Sequence, residues 1–376
     1  MKNLSGIPQN ISDEILGKVT FKGVGLFSRK DYVFVAPNTT KFPSGYFAVL
    51  TNMQKREANQ PIVFEVQQYA ELNEGDIILI NPDGSINVLY ELHSTHNAIM
   101  ATERCNHRCI MCPQPPIMQE SDKTDFNLKL LSLFDKHTQD IGITGGEPTL
   151  IGDNLFILIE YIKKHLPKAS ISLLSNGVKF SDYKYTQKLA LICHHDLQID
   201  IPLFSDIDTE HNRIVGVKTF FKTIEGLYNL ALFRQKIGLR IVVHKQTYRR
   251  LPQLSEFIYR NFPFVFHVAF MQMEIIGLAS QNMDELWIDP YDYNAELEEA
   301  VLNLARRNMN VSIYNSQLCI LPDSIKDYAK QSISDWKNIY LPKCEGCEIK
   351  NGCAGFFASV ENHRYSKYIK SIKSSL

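Results

Sequence analysis

Cys105, Cys109 and Cys112, in the run Cys105-Asn106-His107-Arg108-Cys109-Ile110-Met111-Cys112, put three thiols on one short loop. Three thiolates can hold three corners of a four-iron cube and leave the fourth iron open to a ligand that is not protein. Cysteine makes up only 8 of the 376 residues, and a given Cys would meet both partners at these offsets by chance roughly once in two thousand trials. The competing chemistry is zinc, with Cys109 and Cys112 as half of a knuckle and Cys105 or His107 as a third ligand.

A second group comprises Cys319, Cys344, Cys347 and Cys353, the last in Cys353-Ala354-Gly355-Phe356-Phe357. Four thiolates can close a site completely, and spacing alone does not separate structural zinc from an iron-sulfur cluster. If all four bind a cluster, no iron is left open for a substrate, so electron transfer is the expected role. Two groups of this kind point to metal ligation in a reducing compartment rather than to disulfides. Cys193, in Ala190-Leu191-Ile192-Cys193, stands apart and is expected to be a buried apolar filler.

These loops need a scaffold. Residues 1 to about 95 carry short β-like runs at Tyr32–Ala36, Gly45–Leu50, Asp76–Ile80 and Ile86–Tyr90. Asn81-Pro82-Asp83-Gly84 is a hairpin signal, because Pro presets φ and Gly supplies the positive-φ position. From about residue 97 apolar strand candidates at 97–102, 140–144, 170–175, 197–203, 239–244 and 264–271 alternate with helical segments. Those helices are expected at 126–137, 153–166, 183–193, 218–236, 251–261 and 290–308, the last capped by Asp289-Pro290. The fold class is therefore α/β, a partial six-unit (β/α) TIM-like barrel with its functional loops at the strand C-terminal ends. The domains are expected at 1–95 (β-rich), 96–309 (barrel) and 310–376 (a cysteine-rich extension that includes a short strand at 311–314). The basic tail from His363 to Lys373 reads as a solvated, fraying end.

Forty basic residues against forty-one acidic ones leave a formal charge of -1, which argues against nucleic acid or an anionic membrane as the main partner. The sequence shows neither a signal-peptide stretch nor a run of about eighteen apolar residues, so a cytoplasmic protein is expected.

The second strand candidate ends in Thr144-Gly145-Gly146-Glu147-Pro148, where two glycines let another group come close to the backbone. Together with the cysteine loop one strand earlier, it resembles the radical S-adenosylmethionine (SAM) superfamily. The resemblance implies a [4Fe-4S] cluster on Cys105, Cys109 and Cys112, with SAM at its open iron. It further implies SAM contacts from Gly145, Gly146, Glu147 and Pro148, and from Ser175 and Asn176 at the third strand end. Ile201-Pro202-Leu203-Phe204-Ser205-Asp206 with His211-Asn212-Arg213 is similar to a segment of peptide-modifying members, which makes Ser205 and Arg213 candidates for the SAM carboxylate. Met111 departs from the aromatic residue usual before the third cysteine, and is expected to pack on the adenine.

The run Ser332-Ile333-Ser334-Asp335-Trp336-Lys337-Asn338, with Tyr340-Leu341-Pro342 and the Cys344–Phe357 stretch, resembles the C-type radical SAM maturases of His-Xaa-Ser peptide systems. That resemblance implies a second, auxiliary [4Fe-4S] cluster on the C-terminal cysteines and a precursor peptide as substrate. It also implies a second radical SAM maturase as partner and an external electron donor of flavodoxin or ferredoxin type. The implied reaction cleaves SAM reductively and uses the resulting 5'-deoxyadenosyl radical to take hydrogen from the peptide, with a crosslink as product. Oxidation of a peptide Ser or Cys, as in sulfatase-activating enzymes, and a zinc-stabilised peptide-binding module are the alternatives. The amino-terminal β region is expected to grip the peptide leader through an open strand edge.

Overall fold

The structure is a computed structural model and describes residues 3–39, 41–119, 122–331, 338–362 and 364–373. Ser332 to Lys337, which carry part of the resemblance above, and His363 lie outside the described residues. The chain divides into two compact units, one of residues 1–99, 123–142 and 160–169, the other of residues 100–122, 143–159 and 170–376.

The first unit is built on a sheet of eight strands: β1 (Asn3–Ser5), β2 (Ile7–Gln9), β3 (Ile15–Thr20), β4 (Tyr32–Val35), β5 (Ala48–Leu50), β6 (Ile62–Phe64), β7 (Ile77–Ile80) and β8 (Ser85–Tyr90). Their order is β1-β8-β7-β3-β4-β5-β6-β2. Val19, Val33, Leu50, Val63, Ile78 and Ile86 share its apolar core. The expected hairpin forms: Ile80 pairs with Ile86, Gly84 has φ +86°, and Asp83 Oδ1 accepts from Ser85 N at 2.9 Å.

The outermost strands of this sheet are consecutive pieces of one segment, separated only by Gly6. A Cβ on Gly6 would stand 2.3 Å from Phe64 O, so only glycine lets the chain turn there from one end of the sheet to the other. The sheet thus meets its own ends, and β1 and β2 are three residues each. Edges that short are poor templates for strand addition. Among the described residues, the strand edges expected to grip a leader are these two short strands.

The second sheet contains β9 (Asn97–Met100), β10 (Asp140–Thr144), β11 (Ser170–Leu174), β12 (Leu197–Pro202), β13 (Lys236–Val243), β14 (His267–Gln272), β15 (Val311–Tyr314) and β16 (Ala329–Lys330). Its strands lie in sequence order, and from β11 to β16 every neighbouring pair is parallel. All six strand candidates appear. So do the six expected helices, as α1 (Thr124–Ser132), α2 (Asn154–His165), α3 (Tyr183–Leu191), α5 (Phe220–Leu232), α6 (Leu251–Asn261) and α9 (Asn294–Ala305), with α4 (Asp208–Val215), α7 (Leu278–Gln281) and α8 (Met283–Leu286) in addition. This is a partial TIM-like α/β core. Two strands extend it beyond the expected limit at 309: the run at 311–314 pairs in parallel with β14, and β16 follows it. The alternation that marks these strands is clear in β12, where Leu197, Ile199 and Ile201 are buried and Gln198 and Asp200 half-buried. Among the described residues, no helix is long and apolar enough to cross a membrane.

Cys193 is exposed, contrary to the expectation of a buried filler. Ile192 takes the inward place at the end of α3, and Cys193 follows it in the left-handed region at φ 49°. A non-glycine residue there costs about 1 kcal/mol. Cys193→Gly is therefore expected to raise stability by about 0.5–1 kcal/mol in denaturant titrations, and wild-type Cys193 to be the fastest of the eight thiols to alkylate.

Candidate functional site

The cysteine loop follows β9 and is stitched at its base to the end of β10. Gly146 N donates to Thr102 O and Glu147 N to Arg104 O, both at 2.8 Å. Gly145 has φ +149°, and a Cβ there would stand 2.3 Å from Thr102 O; one on Gly146 would stand 2.3 Å from Arg104 O. The close approach these glycines permit is made by the chain's own cysteine loop.

Glu147 is buried, 1% exposed. Its Oε1 accepts from Thr149 N (3.1 Å), Thr149 Oγ1 (2.6 Å) and Ser175 Oγ (2.8 Å), and its Oε2 from Asn176 N (2.6 Å). Burial raises its pKa, while the four donors pull it back down. Pro148 opens the short turn that Glu147 caps. Asn176 Nδ2 donates to Asn106 Oδ1 at 2.6 Å, tying the end of β11 to the cysteine loop itself. The side chains of Glu147, Ser175 and Asn176 are thus partners of one another and of the loop.

Further contacts pin the loop from the far side. Arg108 N donates to Val215 O (2.9 Å), Ile110 N to Ile214 O (3.0 Å) and Leu278 N to Cys112 O (2.8 Å). Met111 is buried among Phe204, Ile214, Met273 and Leu286, so it fills the gap between the loop and the strand ends. Ser205 is buried as well; its Oγ donates to Glu210 Oε2 at 2.8 Å and accepts from Ile207 N at 3.1 Å, fixing the start of α4. Arg213 is exposed on α4 and forms no ion pair among the described residues. Its charge acts on His244, at the end of β13.

The three loop thiols are half-buried. Burial pushes Cys105 up to about 11, Cys109 up to about 12 and Cys112 upward, and Cys105 and Cys109 are raised further by the charge of neighbouring cysteines. That mutual influence places the sulfurs in one neighbourhood. His107 N donates to Cys105 Sγ at 3.4 Å. Such thiols stay protonated at neutral pH on their own, and a bound cation of high charge is what would strip them. A soft three-sulfur donor set with this loop geometry fits an iron-sulfur cluster.

The second group also comes together. Cys319, Cys344, Cys347 and Cys353 line one cavity with Gln317, Tyr340, Phe356 and Ile369. Its amide donors come partly from the basic tail: Ile372 N donates to Cys347 Sγ at 3.4 Å, and the Lys370 backbone hydrogen bond lowers the Cys319 pKa against its burial. Gly355 N reaches Cys353 Sγ at 3.5 Å. The tail is not a fraying end. Ser366 and Ile369 are buried, Glu348 N donates to Ile372 O at 3.0 Å, and Tyr368 stacks on Tyr291 with centroids 4.1 Å apart. Its apolar residues, interleaved with the lysines, roof the cavity. Four thiols lining one cavity suit either a structural zinc ion or an iron-sulfur cluster.

Sequence reasoning missed His244, and gave His107 only as an alternative zinc ligand and His211 no role of its own. His107, His211 and His244 are buried and neutral, burial lowering their pKa values to about 4, 4 and 3. The signal that could have found His244 is its place at the end of the strand candidate 239–244, as Ser175 ends that at 170–175. For each of His211 and His244 the unfolded chain takes up a proton near pH 6.5 and the folded chain does not. Stability is therefore present above pH 6.5 and lost as pH falls toward 4. Taking the protein from pH 7 to pH 5 is expected to cost about 2 kcal/mol per histidine in urea titrations, and His244→Gln to remove its share.

Three comparisons with known proteins bear on this site. The radical SAM superfamily model matches residues 99–258. The GTP 3',8-cyclase of Desulforamulus reducens is 26% identical over 196 residues, half of this chain and 58% of that protein. That of Campylobacter jejuni subsp. doylei is 32% identical over 108 residues, 27% of this chain and 33% of that protein. The chain thus spans between a third and three-fifths of these relatives. Among solved structures, native anSMEcpe with bound AdoMet and the Cp18Cys peptide superposes with a TM-score of 0.51 at 17% identity, covering 73% of this chain and 92% of that one. At that identity the likeness is one of fold.

Proposed function

We propose that the chain, whose residues 99–258 match the radical SAM superfamily model, is a radical SAM maturase of a ribosomally made precursor peptide, of the His-Xaa-Ser type, forming a crosslink. The observation that carries the reading is the pairing of a three-cysteine loop at the strand mouth with a separate four-cysteine cavity roofed by the chain's own tail. Cys105, Cys109 and Cys112 would hold a [4Fe-4S] cluster, which supplies, when bound with SAM, the electron that cleaves it to methionine and a 5'-deoxyadenosyl radical. The protein's part is positioning. Gly145 to Pro148, Ser175 and Asn176 fix the loop that would present the cluster, Met111 fills the space behind it, and Arg213 offers a free guanidinium for a carboxylate. The gathering of four thiols around one cavity and the backbone amides aimed at Cys319, Cys347 and Cys353 support an auxiliary cluster on Cys319, Cys344, Cys347 and Cys353. Crosslinking a peptide requires removal of a second electron, and Cys319, Cys344, Cys347 and Cys353 would hold a cluster able to accept it. A flavodoxin- or ferredoxin-type donor and a second radical SAM maturase complete the proposed system.

The structure with a bound peptide, matched over most of its length, supports a peptide substrate, and its Cp18Cys ligand keeps oxidation of a peptide Ser or Cys as a second product class. The sequence relatives favour another reading, a nucleotide substrate, since their names specify GTP. Anaerobic incubation with SAM, reductant and either a His-Xaa-Ser precursor peptide or GTP separates these, read by tandem mass spectrometry. Loss of two hydrogens from the peptide is expected; consumption of GTP with an unchanged peptide would overturn the proposal. Cys344→Ala and Cys347→Ala are expected to keep SAM cleavage while ending peptide modification. Unchanged iron content in both variants would remove the auxiliary cluster from the scheme.

A further inference from the structure

A small cavity at the ends of β13 and β14 belongs to none of the roles above. Its volume is about 20 Å3, and it is lined by His244, Gln272, Met273, Leu286, Trp287 and Tyr293, among others, none of them charged. Met273 and Leu286 also pack against Met111 of the cysteine loop, so the cavity lies one side-chain layer from that loop.

Two of its polar atoms have no partner. His244 is 1% exposed, and its Nδ1 accepts from Gln246 N at 3.2 Å. That bond fixes the tautomer and leaves Nε2–H as the free donor, and Nε2 is buried without a partner. Gln272 Oε1 is likewise buried and without a partner. A buried donor and a buried acceptor left unpaired each cost about 1–3 kcal/mol, so their shared presence at one cavity calls for a ligand. The ring stays neutral because burial holds its pKa near 3, which disfavours an anionic occupant. About 20 Å3 is room for a group the size of one water molecule. Water and an alcohol hydroxyl are the neutral groups of that size that both accept and donate a hydrogen bond, and of the two only the hydroxyl can belong to a substrate.

We propose that His244 and Gln272 form a receptor for one alcohol hydroxyl of the substrate, His244 Nε2–H donating to it and Gln272 Oε1 accepting from it. On the peptide reading above, on which this assignment of the source rests, the hydroxyl is that of a serine or threonine side chain. A nucleoside ribose offers the same group.

Trp287 lines the cavity, and the only other tryptophan is Trp336. In a Trp336→Phe background, Trp287 emission reports occupancy. Titration with N-acetyl-L-serinamide is expected to give a saturable shift that N-acetyl-L-alaninamide, lacking only the hydroxyl, does not. His244→Phe and Gln272→Leu should each weaken it at least fivefold, and His244→Gln, which keeps an N–H donor, should restore part of it and guards against misfolding of the first variant. Equal responses to the two amides, or none, would overturn the receptor. A response to adenosine alone would keep the receptor and overturn its peptide source. Because SAM cleavage is measured separately, failure here is distinguishable from failure of the radical SAM reading.

Discussion

Cys105→Ala, Cys109→Ala and Cys112→Ala, each reconstituted anaerobically with iron and sulfide, are expected to show no SAM cleavage above the level without protein. A cube held by three thiolates that loses one has two open corners and no longer presents a single site for SAM. Nothing else in the loop can substitute. His107, the nearest alternative ligand, is buried with Nε2 against Thr219 Oγ1 at 3.0 Å, and Asn106 is held by Asn176. The loop backbone should survive the changes, because its bonds to Val215, Ile214 and Leu278 involve no sulfur. The unloaded variants are therefore expected to unfold within about 1 kcal/mol of wild type. Iron content should fall by one cluster while that of the C-terminal group stays. Full SAM cleavage in any of the three would end the cluster assignment.

The parts legible in the sequence were those set by periodicity and by rare residues. Apolar runs between amphipathic helices located all six expected strands, and cysteine spacing found both groups that the fold brings together. The boundaries slipped where the local pattern misled. Phe264 and Phe266 made β14 look as though it began at 264, yet both are exposed and the strand starts at His267. The tail illustrates a deeper limit. Lysines spaced among apolar residues read as a solvated end, because the sequence does not show that Ile369 has a cavity to cover. Cys193 fails for the converse reason, since the left-handed turn that follows Ile192 leaves it exposed whatever its hydrophobicity.

The Gly-Gly-Glu-Pro segment shows how a correct location can carry an incomplete reason. Glu147 receives four hydrogen bonds from Thr149, Ser175 and Asn176 and is buried, so its side chain is occupied in joining the ends of β10 and β11. Glu147→Ala is expected to cost about 4 kcal/mol, because the Thr149 and Asn176 amides lose their acceptor in a buried place while the two hydroxyls can turn elsewhere. That corresponds to a fall in Tm on the order of 10 °C. Glu147→Gln should cost about half as much. It keeps one oxygen for Thr149 and Ser175 but turns an N–H toward the Asn176 amide, where two donors then face each other. Both losses are expected in the unloaded protein, before any cluster or SAM is added. If unloaded Glu147→Gln melts as wild type does and loses only its affinity for SAM, the carboxylate is a ligand contact and the joining role is wrong. If it melts lower and also binds SAM more weakly, the weaker binding follows from the loop that Glu147 holds, and Ser175→Ala, which removes one of the four donors, should reproduce a smaller part of both effects.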